Sequence, residues 1–100
     1  MMQSMKVGLA LEEILTFLIS HGIETENEEY IDIRVCKLDD QVMMRFRYLN
    51  AGIDPVMYYR ENIGNREMAE ELLGLKMIVK SARHADFRQT LGASNLLLIF

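Results

Sequence analysis

Glu13, Thr16 and Ser20 recur at spacings of three and four, so on a helix they form one line offering a carboxylate and two hydroxyls. Phe17 interrupts that line one turn after Glu13, where a further polar residue would continue it. Other groups with chemical capacity are dispersed. Metal ligation requires donors at short, regular spacing, and His21, His84 and the single cysteine, Cys36, do not provide it; both histidines read as surface residues. Asn50, Ala51 and Gly52 form a run that turn chemistry alone explains. Tyr58, Tyr59 and Arg60 are the one aromatic-basic cluster, read as a contact surface.

The elements that must position these residues are legible from hydrophobic period. From about Gln3 to His21, Met5, Leu9, Leu11, Ile14, Leu15, Leu18 and Ile19 make a broad apolar stripe, which predicts a helix, with Gly22 as its stop. The polar run Glu24 to Glu29 reads as a solvated loop. From Tyr30 the period becomes two. Ile31, Ile33 and Val35 alternate with Asp32, Arg34 and Cys36, and after Asp39 and Asp40, Val42, Met44, Phe46 and Tyr48 alternate with Met43, Arg45 and Arg47. This predicts an antiparallel hairpin with one buried and one wet face, the arginines and Asp32 forming cross-strand ion pairs on the latter.

Leu49 to Glu67 contains the only proline and no steady period, and reads as a long loop. A second helix is predicted from about Arg66 to Ala82, burying Met68, Leu72, Leu75, Ile78 and Val79, followed by strands around Asp86 to Thr90 and Asn95 to Phe100. That order predicts an α+β fold, a two-layer sandwich with helices on one face of a largely antiparallel sheet.

Bulk properties narrow the partners. One hundred residues, half of them apolar, make one domain spanning residues 1–100. A net charge of −4 and a pI near 5.1 argue against a general role on nucleic acid or membrane surfaces. A lone cysteine favours a reducing, cytoplasmic setting, and no apolar run approaches the roughly 20 residues that span a bilayer.

Three segments, LEEILTFLISHG, YLNAGIDP and ELLGLKMIVKSARHADFRQTLGASNLLLIF, in this order, resemble the signature regions of the histidine-kinase-like (GHKL) ATPase family, nearest to the anti-sigma-factor serine kinases. The family's helix motif is Glu-x-x-x-Asn, whose asparagine holds the magnesium bridging the nucleotide phosphates. Glu13 matches its carboxylate, a general base in active relatives, and Phe17 replaces the asparagine with a ring that cannot ligate a hard cation. The Asp-x-Gly motif that receives adenine aligns with Asn50, Ala51 and Gly52, with Asp54 a stand-in acceptor. The phosphate-binding Gly-x-Gly aligns with Leu72, Leu73 and Gly74, inside a helical pattern that begins upstream, beside Glu70 and Glu71.

The resemblance therefore implies a degenerate domain that keeps the scaffold and serves as a regulatory protein-interaction module, with ATP binding weak or absent and no cofactor. The alternative is an active ATP- and magnesium-dependent serine or histidine protein kinase, with Glu13 as base and Asn50, Gly52, Asp54 and Gly74 around the nucleotide. Relatives carry a strand pair and a helix before the signature helix, so the chain is expected to be the C-terminal part of a larger domain or protein. Its sheet edge would then invite homodimerisation beside an unidentified protein partner.

Overall fold

Four extended segments organise the molecule. In the computed structural model, which describes residues 2–21, 31–49 and 53–100, they form β1 (Ile31–Leu38), β2 (Gln41–Leu49), β3 (His84–Thr90) and β4 (Ala93–Ile99). These make one sheet in the order β1-β2-β4-β3, with every neighbouring pair antiparallel. The register aligns Ile33, Phe46, Leu96 and Phe87 across one face and Arg34, Arg45, Leu97 and Asp86 across the other. On the first face Met44, Phe46, Leu96 and Leu98 have no exposure at all, which identifies the two central strands as the floor of the core.

Helices cover that face alone. Helix α1 (Met2–His21) buries Ala10, Ile14, Phe17 and Leu18, and α3 (Ala69–Ser81) buries Leu72, Leu75 and Ile78. Each of these side chains larger than alanine, removed from water, contributes about 1.5–3 kcal/mol. Helix α1 packs on α3 and β2, as expected for an α+β two-layer sandwich. No helix among the described residues is long and apolar enough to cross a membrane.

The long loop read between Leu49 and Glu67 is corrected. Within it stand a short helix, α2 (Pro55–Glu61), and a 3-10 turn (Arg66–Met68) leading into α3. Asp54 caps α2, its Oδ1 accepting from the Val56 N–H at 2.9 Å, and Pro55 takes the first helical position, where its missing N–H costs nothing. Asn65 caps the 3-10 turn in the same way, accepting from the Glu67 N–H at 3.1 Å. Two turns of helix are too short to display a period, so the cap and proline were the readable signals. Asn50 to Gly52, Gly22 and the run Glu24 to Glu29 lie outside the described residues.

Both hairpins turn through left-handed backbone. Asp39 has φ +50°, and the β3–β4 turn uses Leu91 (φ +51°) and Gly92 (φ +81°). Glycine occupies this region freely, whereas leucine pays about 1–2 kcal/mol for it. Leu91 is fully exposed and recovers nothing by packing. Leu91→Asn, which creates the favoured Asn-Gly turn, is expected to stabilise the fold by about 1 kcal/mol. A thermal melt should rise by roughly 4–8 °C; an unchanged or lower midpoint would contradict the assignment of strain to residue 91.

Candidate functional site

Helix α1 lies against α2 and α3, and α1 and α3 supply most of the cleft between them. From α1 come Glu13, Thr16, Phe17, Ser20 and His21, and from α3 Glu71, Gly74 and Leu75. Gly74 lies directly against Glu13: a Cβ built there would come within 1.9 Å of the Glu13 carboxylate oxygen. The two sequence-predicted residues Glu13 and Gly74 are thus brought together.

The rest of the cleft is filled by rings. Phe17, only 5% exposed, stacks on His21 with centroids 4.5 Å apart and planes 23° apart. Tyr58 from α2 meets Phe17 edge-on at 5.0 Å and 63°, and approaches His21 at the same distance. Such aromatic pairs add about 0.5–1.5 kcal/mol beyond their burial. The His21 Nε2 contacts Glu71 Oε1 at 2.5 Å. Burial first, and then the charge and hydrogen bonding of Glu71, push the Tyr58 hydroxyl above its ordinary pKa.

This arrangement leaves a cavity of about 70 Å³, well below the several hundred Å³ of ordinary ligand pockets. Glu13 and Glu71 supply carboxylates, but Phe17 presents hydrocarbon at the position between them. Among the described residues no three His, Cys, Asp or Glu side chains gather as metal ligands. Inside α3 the N–H groups of Leu73 and Gly74 lie beyond the first turn and are committed to helix carbonyls. Leu72, at 6% exposure, is core. The described residues of this cleft do not fit a magnesium ion with its phosphates.

Asp54 is elsewhere. Its carboxylate is engaged as the α2 cap and lines a separate 140 Å³ depression with Arg60 and Asp86. Behind it the Tyr48 hydroxyl donates to the Ile53 carbonyl, which ties the entry of α2 to the core. Asn50 and Gly52 lie outside the described residues.

Two surface readings are corrected. His21 is half-buried in the ring cluster because it lies one turn after Phe17 on the same helix face, and Tyr58 turns inward to meet both. Tyr59 packs against the core, while Arg60 remains exposed. The four-residue spacing of Phe17 and His21 was visible in the sequence; their partner Tyr58 was hidden by reading its segment as loop. On the wet face of the β1–β2 hairpin the ion pairs are long, Arg45 to Asp32 at 3.9 Å and Arg34 to Asp32 at 3.8 Å. Pairs of this length at the surface contribute little.

No protein-family model matches the sequence, and no curated protein matches it.

Two outcomes follow for stability. Burial and then the nearby Asp54 charge raise the Tyr48 pKa well above its ordinary value of 10. The unfolded tyrosine loses its proton first, so the neutral folded form is favoured below pH 10 and that advantage falls as pH rises beyond it. Urea midpoints should drop between about pH 9 and pH 11, less steeply in Tyr48→Phe; parallel curves would contradict this origin. Gly74→Ala should stabilise by up to about 1 kcal/mol, because alanine favours the helix and the obstructing atoms are the free end of a flexible glutamate. A loss of more than about 1 kcal/mol in urea titration would mean that Glu13 is fixed in place.

Proposed function

We propose that the chain is a degenerate histidine-kinase-like (GHKL) domain, nearest the anti-sigma-factor serine kinases, acting as a regulatory protein-interaction module without nucleotide chemistry. The observation that carries this reading is the burial of Phe17 in the Phe17–His21–Tyr58 cluster. The element order supports the scaffold: a helix, an antiparallel hairpin, a connecting segment, a second helix and two strands. The resemblance sets a metal ligand at position 17 and a phosphate-binding glycine at position 72. Both positions carry buried apolar side chains.

Restoring the family residues would be costly. Phe17→Asn and Leu72→Gly each delete core volume, at about 3–5 kcal/mol apiece, with about 1 kcal/mol more for a helical glycine. The sum approaches the whole stability of a small domain. The alternative, an active ATP-dependent kinase with Glu13 as base, draws on the juxtaposition of Glu13 and Gly74. Against it stand the apolar position 17 and the small cavity. What a nucleotide-free scaffold retains is surface, and the partners we assign to it are a second copy of the chain and a further regulated protein, in the cytoplasm.

Thermal stability with nucleotide tests the reading. A ligand at a hundred times its dissociation constant adds about 2.7 kcal/mol. Millimolar ATP with magnesium should leave the melting midpoint where magnesium alone leaves it. A rise of several degrees specific to ATP would favour the kinase reading instead.

A further inference from the structure

The sheet has two edges, and the direction of the backbone groups on one of them can be derived. Val42 and Phe100 exchange backbone hydrogen bonds at 3.0 and 2.9 Å, so Val42 spends its N–H and C=O toward the β4 side. Along an antiparallel strand these groups alternate sides. Met43, Arg45 and Arg47 therefore bond β1, and their partners Cys36, Arg34 and Asp32 point inward to β2. Ile31, Ile33, Val35 and Lys37 consequently aim their N–H and C=O groups outward. Among the described residues no strand pairs with that edge.

We propose that β1 is a self-pairing edge, which a second copy of this chain joins antiparallel about a two-fold axis through Ile33. In this register Ile33 faces Ile33 of the partner copy, and Ile31 faces its Val35, all three pairs on the helix-covered side. Each is a hydrogen-bonded pair, so six backbone bonds form. On the opposite face Asp32 of each copy stands across from Arg34 of the other, in the closer, non-hydrogen-bonded type of pair where side chains interact most. Asp32 and Arg34 hold only long contacts within one chain, 3.8 Å between them, and are free to exchange partners. Val35, 53% exposed in one chain, gains apolar cover.

Neighbouring registers are worse matched. An axis through Arg34 sets arginine against arginine, and one through Val35 sets Ile33 against Lys37 and Asp32 against Leu38. An axis through Cys36 sets the two thiols face to face and leaves Asp32 outside the pairing. Charge complementarity and the outward bonding groups select Ile33 together. The closed two-fold arrangement joins two four-stranded sheets into one of eight. The inference deepens the self-association proposed above and does not depend on the fate of the nucleotide site.

Sedimentation velocity across a micromolar concentration series tests it. The unmodified chain should approach dimer mass. Asp32→Arg and Arg34→Asp should each weaken the dimer about tenfold through two like-charge contacts. Their equimolar mixture should recover dimer, because every Arg then faces an Asp. Val35→Pro removes an outward N–H without touching the β1–β2 ladder, so it should stay folded by circular dichroism and sediment as a monomer. A monomeric unmodified chain would overturn both the register and self-association. Dimer that is indifferent to all three variants, a mixture no better than its components, or ready Cys36 disulfide linkage under mild oxidation would overturn the register while leaving self-association standing.

Discussion

The structure depends on one constraint: the central strands of its sheet bury one face completely, while on the other Arg45, Arg47 and Asn95 stand among the half-buried Met43, Leu97 and Ile99. Met44, Phe46, Leu96 and Leu98 must be covered, and their strand neighbours Arg45, Arg47 and Asn95 must not be. All helices are therefore confined to one layer. Three amphipathic segments sharing a four-stranded floor have to meet one another as well as the sheet. The α1–α3 cleft is the product of that crowding, and whatever side chains line it inherit a partly dry environment.

Position 17 decides what this environment can do. An asparagine in such a place could present oxygen to a cation, whereas phenylalanine adds about the burial energy of a large core residue and recruits two further rings. His21 and Glu71 then satisfy each other at the rim. Glu13 keeps its place against Gly74, yet among the described residues no three His, Cys, Asp or Glu side chains gather as metal ligands. The energy that a nucleotide site would hold in reserve for ligand is used here for folding. That distribution is the ground on which we propose a surface role, with β1 as the edge that would carry it.

Much of this was legible in the sequence because periodicity reports burial. The alternation of Val42, Met44, Phe46 and Tyr48, and the stripe of Ile14, Leu18, Leu72, Leu75 and Ile78, identify the layers and the α+β class. Helix α2 was missed because two turns give no period, although Asp54-Pro55 is a cap signature. In the cleft, the resemblance assigned Glu13 and Gly74 to one nucleotide site without setting them in contact, and the exclusion of Leu72 from solvent followed from its spacing. The inward turn of His21 and Tyr58 was not legible, since it is set by how α2 lies against α1, a tertiary fact. Asp54 illustrates the converse: the residue types suited a ligand, but local backbone bonding had already claimed the carboxylate.

The central claim is that the Phe17 ring occupies the cleft and keeps it. Proton NMR in solution tests this most directly, by nuclear Overhauser contacts from the Phe17 ring to the His21 and Tyr58 rings, recorded without and with magnesium ATP. The account predicts strong contacts to both rings, unchanged by nucleotide, with the Gly74 amide unmoved. Absent contacts, or contacts that vanish as the Gly74 amide shifts on adding nucleotide, would contradict it.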